Sequence, residues 1–299
     1  MANIKIDIHK RGIATRKDGI KNWEIPNIVK KNLLKFLEEL ELGKVNRGDV
    51  WLIRRVEIFK HYVLNALCNQ SNLHFTLWLS FRPEDEFNPI VRDFYNHLNQ
   101  VRSMSPVFTY NGLCFYDDKY TDEEAKSRLR ANLDATLPYL EQHAKEFDEI
   151  LLTIQPSDDM YLFKAVEQIQ NTEFDRACGF TKGYLIDYGT KQIANYDPDT
   201  NPPFYTLKFT KEEFLDPQKH FDIIKDIKSH EYVKDIPNFK ELKGRMFVVG
   251  CHTANISTTW NTYRGRILTD KERDDVLLQT GTYFTEPIIY KQNGRLMLR

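Results

Sequence analysis

The sequence lacks the features of secreted proteins, of membrane-spanning proteins and of proteins stabilised by a structural zinc site. Its few cysteines are far apart and have no CxxC or Cys/His spacing of a zinc site: Cys68, Cys114, Cys178 and Cys251. No run of about 18 apolar residues occurs, and the first residues contain no apolar stretch of signal-peptide type. We therefore expect a cytoplasmic protein with reduced thiols and no transmembrane segment.

The chain also lacks an excess of either charge. Its 299 residues include 42 Lys+Arg and 43 Asp+Glu, which gives a net charge of −1. Nucleic acids are bound through a strong positive field, so this balance argues against them as partners. Low-complexity tracts and internal repeats are missing as well. A hydrophobic content of 41% over this length suits one large α/β domain or two smaller ones.

The spacing of apolar residues predicts alternating strands and helices. Helices are predicted over residues 28–42, 52–70, 84–101, 121–147 and 160–170, and strands over residues 3–8, 74–83, 149–155 and 245–260. Short strands and turns over residues 180–210 are interpreted as a small β-rich insert, and the chain from residue 211 as a mainly helical tail. We expect an α/β fold with a Rossmann-like mixed sheet flanked by helices.

Two adjacent acids, Asp158 and Asp159, follow the predicted strand EILLTIQ. In open α/β sheets, ligands bind at the carboxyl ends of the strands. Carboxylates in that position suit a hard divalent cation that bridges to phosphate oxygens, because such cations take oxygen ligands. The alternative is a solvated turn or a helix N-cap formed by Ser157 or Asp158.

Four segments occur in an order and spacing that resemble a known family. They are IRRVEIFKHYVLNALCNQSNLHFTLWLSFRPED (53–85), LLTIQPSDDMY (151–161), NPPFYTL (201–207) and FVVGCHTANIS (247–257). The matched positions in the first segment are Arg55, Ile58, Phe59, Tyr62, Asn69, Gln70, Phe75 and Trp78. Together the segments resemble the rhamnosyltransferase group of GT-A-type glycosyltransferases.

The resemblance implies a GT-A-like catalytic domain over residues 49–260. Residues 1–48 would form part of it or a cap on it, and residues 261–299 a C-terminal tail. The implied activity transfers a sugar from a UDP, GDP or dTDP sugar to a hydroxyl of a glycan or related acceptor. The alternatives are a metal-dependent nuclease or nucleotidyltransferase, and a non-catalytic relative that binds nucleotide sugars.

The resemblance also implies roles for individual residues. Asp158 matches the last acid of an Asp-x-Asp motif and would bind Mn²⁺ or Mg²⁺, and Asp159 would orient metal-bound water or the sugar in catalysis. His252 would add a metal or phosphate contact, and Asn255 would support its loop. Arg55 is a candidate phosphate contact, because a guanidinium matches phosphate geometry; its alternative is an ordinary ion pair with a nearby acid.

An inverting transfer needs a base near the acceptor hydroxyl, usually a carboxylate. Asp187 is our candidate for that base, and further carboxylates in the same part of the chain stay open: Asp175, Asp197, Glu212 and Glu213. A retaining mechanism would need no such base, and the sequence does not distinguish the two.

One departure from the family pattern concerns the metal. Pro156 stands where the motif has its first acid, and Ile154 stands where the family has an Arg. A site with fewer carboxylates should hold its cation less tightly. The sequence therefore predicts either a weakly held cation or a change of function.

Overall fold

The computed structural model describes most of the chain after residue 47. The described residues are 48–101, 106–110, 121–143, 147–225, 227, 230–252, 258–282, 289–292 and 295–298. The strand predicted over residues 3–8, the helix predicted over residues 28–42 and Asn255 lie outside these ranges.

A long helical segment opens the described chain. α1 (Asp49–Ile58) continues through a π-helical turn (Phe59–Val63) into α2 (Leu64–Cys68), with helical backbone at both junctions. Its buried side chains recur every three or four residues, as one face of a helix requires: Leu52, Val56, Phe59, Val63 and Leu67. The helix predicted over residues 52–70 is confirmed.

A βαβ unit follows, whose first strand and helix lie within the segments predicted over residues 74–83 and 84–101. β1 (Leu77–Ser80) pairs in parallel with β2 (Pro106–Thr109), and α3 (Pro89–Asn99) connects them. The Asn88 side chain caps α3 by accepting a hydrogen bond from the backbone N–H of Ile90. The buried face of α3 packs against the apolar stripe of α1 and α2.

The main sheet has six strands. They are β3 (Glu149–Ile154), β4 (Met160–Tyr161), β5 (Ala177–Asp187), β6 (Ile193–Tyr196), β7 (Tyr205–Thr210) and β8 (Lys240–Cys251). Their order is β3-β7-β5-β8-β4, with β6 paired to β5. β5 and β8 are parallel, and all other neighbours are antiparallel. The sheet is therefore mixed.

The sheet curls, and its two edge strands are close neighbours in sequence. Only residues 155–159 separate the end of β3 from the start of β4, and an extended residue spans no more than about 3.6 Å. The two edges approach each other, because the Tyr161 hydroxyl of β4 donates a hydrogen bond of 3.4 Å to the carbonyl oxygen of Ile154 in β3. This short connection carries Asp158 and Asp159.

Helices cover the sheet. They are α4 (Asp122–His143), α5 (Ala165–Asn171), α6 (Lys211–Leu215), α7 (Pro217–Ile224), α8 (Trp260–Tyr263) and α9 (Asp270–Gln279), with 3₁₀ turns at Pro83–Asp85 and His230–Asp235. One core joins Leu129 and Leu133 of α4 to Phe209 of β7 and Phe221 of α7. No helix among the described residues combines the length and the apolar character needed to cross a membrane.

Three sequence predictions differ from this fold. The interpretation of residues 180–210 as an insert is wrong, because β5 is the central strand of the main sheet. The helix predicted over residues 160–170 begins only at Ala165, since Met160 and Tyr161 pair with β8 instead. The tail is helical only in part, because the hairpin of β9 (Ile289–Gln292) and β10 (Arg295–Leu298) follows α9. In each case a pairing between strands overrides the local pattern.

Candidate functional site

Residues from three distant parts of the chain meet where β8 ends. β5 and β8 run in parallel and finish together, with Asp187 opposite Cys251. His252 follows β8 directly, and the 155–159 connection lies beside it, because Gly250 donates its backbone N–H to the Asp159 carboxylate at 2.8 Å. α1 brings Arg55 to the same place. The carboxyl end of β8 is thus the centre of the candidate site.

Arg55, Asp158 and His252 form one hydrogen-bonded group, which we call the Arg–Asp–His cluster. The Oδ2 atom of Asp158 accepts from Arg55 Nη1 and, at 2.9 Å, from His252 Nε2. The two donor nitrogens lie 3.3 Å apart because they share this oxygen. The exposed fractions of the side chains are 18%, 7% and 3% in chain order, so the cluster is largely shielded from water.

The electrostatics of the cluster favour an ionised Asp158 and a neutral His252. Burial raises the pKa of Asp158, but the hydrogen bond from His252 and the charge of Arg55 outweigh it, and the net pKa lies below the ordinary value. Burial lowers the pKa of His252, whereas the hydrogen bond and charge of Asp158 raise it. The charge of Arg55 lowers it again, so the pKa of His252 lies below its ordinary value. One guanidinium therefore balances one carboxylate, and the cluster has no net charge.

Asp159 has a different environment from its neighbour. It is 4% exposed, its carboxylate accepts from the Gly250 N–H, and its carbonyl oxygen accepts from the Gln155 side chain at 2.7 Å. Burial, followed by the charge of Asp158, raises the pKa of Asp159 well above its ordinary value. These contacts attach the 155–159 connection to β8 and turn the carboxyl group away from solvent.

Gly250 allows this close approach. A Cβ atom at residue 250 would stand 2.5 Å from the Asp158 carbonyl oxygen and 2.6 Å from the ring of Tyr188. Any side chain would thus push the 155–159 connection off β8. Gly250 was not predicted as a site residue, although a glycine inside an apolar strand is a signal of close backbone approach.

Aromatic rings support the cluster from two sides. The Tyr188 hydroxyl donates to the Asp158 carbonyl oxygen at 2.8 Å, and its ring stacks on Tyr62 with centroids 4.1 Å apart. Burial, followed by the charges of the two acids, raises the pKa of Tyr188, which keeps the hydroxyl a donor. On the other side, the Arg55 guanidinium lies 5.2 Å from the ring centroid of Trp51. Trp51 was also missed, although it precedes Arg55 by one helical turn.

Asp187 lies at the same end of the sheet but does not join the cluster. Its carboxylate accepts from the Gly189 N–H and the Thr190 hydroxyl, both at 2.9 Å, and so shapes the turn between β5 and β6. The other carboxylates considered as bases also have partners among the described residues: Asp175 with Asn238, Asp197 with Arg245, Glu212 with Lys219, and Glu213 with Arg176. Asn255 lies outside the described residues.

The cluster in this arrangement does not fit a divalent cation. Mg²⁺ and Mn²⁺ prefer several oxygen ligands, whereas Asp158 Oδ2 is shared by a guanidinium and an imidazole N–H. The positive charge that neutralises this carboxylate comes from Arg55. Within the described ranges, no group of three or more His, Cys, Asp or Glu side chains is placed to hold a metal ion.

No protein-family model matches the chain, and a search of curated proteins gives no match. The likeness of residues 50–260 to GT-A-type glycosyltransferases therefore stays a prediction from the sequence.

Proposed function

We propose that the protein is a glycosyltransferase with a GT-A-like domain over residues 49–260. It would transfer a sugar from a UDP, GDP or dTDP sugar to a hydroxyl of a glycan or related acceptor. One observation supports this: Asp158 and His252, the metal or phosphate contacts that the likeness implies, lie in contact with Arg55, the candidate phosphate contact chosen for its guanidinium. Arg55 and Asp158 are 103 residues apart, and Asp158 and His252 are 94 apart.

The chemistry of the cluster suits a diphosphate leaving group. Transfer of the sugar leaves negative charge on the nucleoside diphosphate, and fixed donors aimed at that charge lower the barrier. Arg55 offers planar N–H donors that match phosphate oxygens, and its buried Nε has no partner among the described residues. His252 adds a neutral ring whose orientation is fixed by Asp158.

A thermal-shift experiment tests the proposal. The melting temperature should rise with at least one of UDP, GDP and dTDP, because a ligand that binds only the folded state stabilises it. Arg55→Gln should abolish the rise, whereas the control Arg92→Gln, at an exposed position on α3, should keep it. A melting temperature that no nucleotide changes would count against the glycosyltransferase proposal, and stabilisation by oligonucleotides instead would favour a nuclease.

A second candidate is a protein that binds nucleotide sugars without transferring them. The observation that favours it is the burial of both acids: as whole residues, Asp158 is 5% and Asp159 is 4% exposed. A catalytic base must reach the acceptor hydroxyl within hydrogen-bond distance, and neither carboxyl group is open to a bulky acceptor here. Release of free nucleoside diphosphate from a bound nucleotide sugar, followed by chromatography, separates the two candidates.

A further inference from the structure

Arg55 is the positively charged side chain that lies against Asp158 in this site. In a metal-dependent site, the strand-end carboxylate faces a divalent cation. Here Asp158 Oδ2 faces a guanidinium, which reaches it from a helix more than 100 residues earlier in the chain. Arg55 stands where the cation would bind this oxygen.

Arg55 is held in this place by contacts on several sides. Its Nη1 bonds to Asp158, its guanidinium lies against the Trp51 ring, and its side chain is 18% exposed. α1 itself is anchored by buried residues on the turns before and after Arg55, Leu52 and Val56 among them. The guanidinium is therefore part of the packed site.

The sequence departure at Pro156 agrees with this arrangement. A second carboxylate at residue 156 would call for more positive charge than one guanidinium supplies. Pro156 is uncharged, and its carbonyl oxygen accepts from the Asp159 N–H at 3.3 Å. Asp159 is buried, and its carboxyl group accepts from the Gly250 N–H. One fixed cation and one ionised carboxylate balance without a metal.

We propose that this protein binds the diphosphate of its donor without a divalent cation, and that Arg55 supplies the positive charge instead. The inference rests on the proposed function, because it names how that same site meets its substrate. The Arg55 side chain is 18% exposed, the most exposed of the cluster, and this open part is what a phosphate oxygen can reach. A divalent ion entering beside Asp158 would meet the guanidinium at close range and be repelled.

Calorimetric titration with UDP, GDP and dTDP tests the inference. Wild-type protein should bind at least one of them in excess EDTA, and Mn²⁺ should change the dissociation constant by less than about twofold. Arg55→Met should lose at least about tenfold in affinity in EDTA and regain affinity with Mn²⁺, because Asp158 then lacks a counter-charge. Arg55→Lys retains the charge and should keep part of the metal-free binding, and Arg92→Met serves as the control.

Electron paramagnetic resonance of Mn²⁺ adds a readout that needs no nucleotide. Wild-type protein should leave the signal of free Mn²⁺ unchanged, and Arg55→Met should reduce it; circular dichroism shows whether each variant is folded. Binding of Mn²⁺ by the wild type, or nucleotide binding that requires Mn²⁺, would overturn the metal-free inference while leaving the glycosyltransferase proposal intact. Absence of nucleotide binding with and without Mn²⁺ would overturn both.

Discussion

His220 should make the protein less stable in mild acid. The side chain is completely buried, and its ring lies against Phe209 and Phe214, with centroid distances of 4.5 and 5.0 Å. Nδ1 donates to the Phe214 carbonyl oxygen at 3.0 Å, whereas the buried Nε2 has no partner among the described residues. Protonation of Nε2 would create a buried cation without a counter-charge.

The size of the effect follows from the pKa. Burial lowers the pKa of His220 from 6.5 to about 4, despite the opposing hydrogen bond to Phe214. Each pKa unit corresponds to about 1.4 kcal/mol, so the full effect is about 3 kcal/mol. At a pH between 6.5, the ordinary pKa, and about 4, the pKa in the folded protein, the unfolded chain binds more protons than the folded one. The free energy of unfolding therefore decreases as the pH falls through this range. At about pH 5 the loss should be about 2 kcal/mol.

Urea unfolding at about pH 8 and about pH 5, followed by circular dichroism, measures this loss. Other groups titrate in the same range, so the comparison is with His220→Gln, which removes the titration and retains a donor for Phe214. The stability difference between wild type and His220→Gln should shift by about 2 kcal/mol between the two pH values. His61→Gln, at a side chain that is 72% exposed, is the matched control. An identical pH dependence for wild type and His220→Gln would refute the assignment.

Three more predictions concern the site. Gly250→Ala should lower the free energy of unfolding by about 2 kcal/mol, because a Cβ would stand 2.5 Å from the Asp158 carbonyl oxygen; unchanged urea unfolding would contradict this close approach. Tyr188→Phe should cost about 1 kcal/mol through its lost hydrogen bond to that oxygen, whereas Tyr232→Phe, at an exposed ring, should be neutral in the same assay. Asp158→Asn should cost about 2 kcal/mol because the partly buried Arg55 loses its counter-charge, and a variant as stable as wild type would show that the ion pair does not form.

Much of the local structure was predictable because it depends on local periodicity. The helical repeat of apolar residues is enough to predict the helix over residues 52–70. The length and the β-branched residues of EILLTIQ are enough to predict a strand. Residues 180–210 were misinterpreted for a different reason. Short turns separate the strands of this region, a pattern typical of a small separate β layer. These strands belong to the main sheet because they pair with β3 and β8, which lie far away in sequence.

The contact between three of the candidate site residues was foreshadowed by the sequence, but their electrostatics were not. The family likeness pointed to Asp158 and His252, and guanidinium chemistry pointed to Arg55; the structure places the three in contact. Asp158 and Asp159 are identical adjacent residues, so no local pattern could separate them. Their difference comes from what folding places beside each one: a guanidinium and an imidazole against Asp158, and a backbone N–H of β8 against Asp159.

The ion pair predicted as the ordinary alternative for Arg55 turns out to be compatible with a functional role. An exposed ion pair adds little stability, but a carboxylate in a shielded site needs a compensating charge before any ligand arrives. Arg55 provides that charge to Asp158, and Pro156 adds no further acid beside it. Under the proposed function, Pro156 and Arg55 therefore belong to one change, in which an acid is missing and a guanidinium lies against Asp158. A diphosphate entering this site would meet a positive group already positioned by α1, and its binding would depend on the guanidinium rather than on the supply of metal.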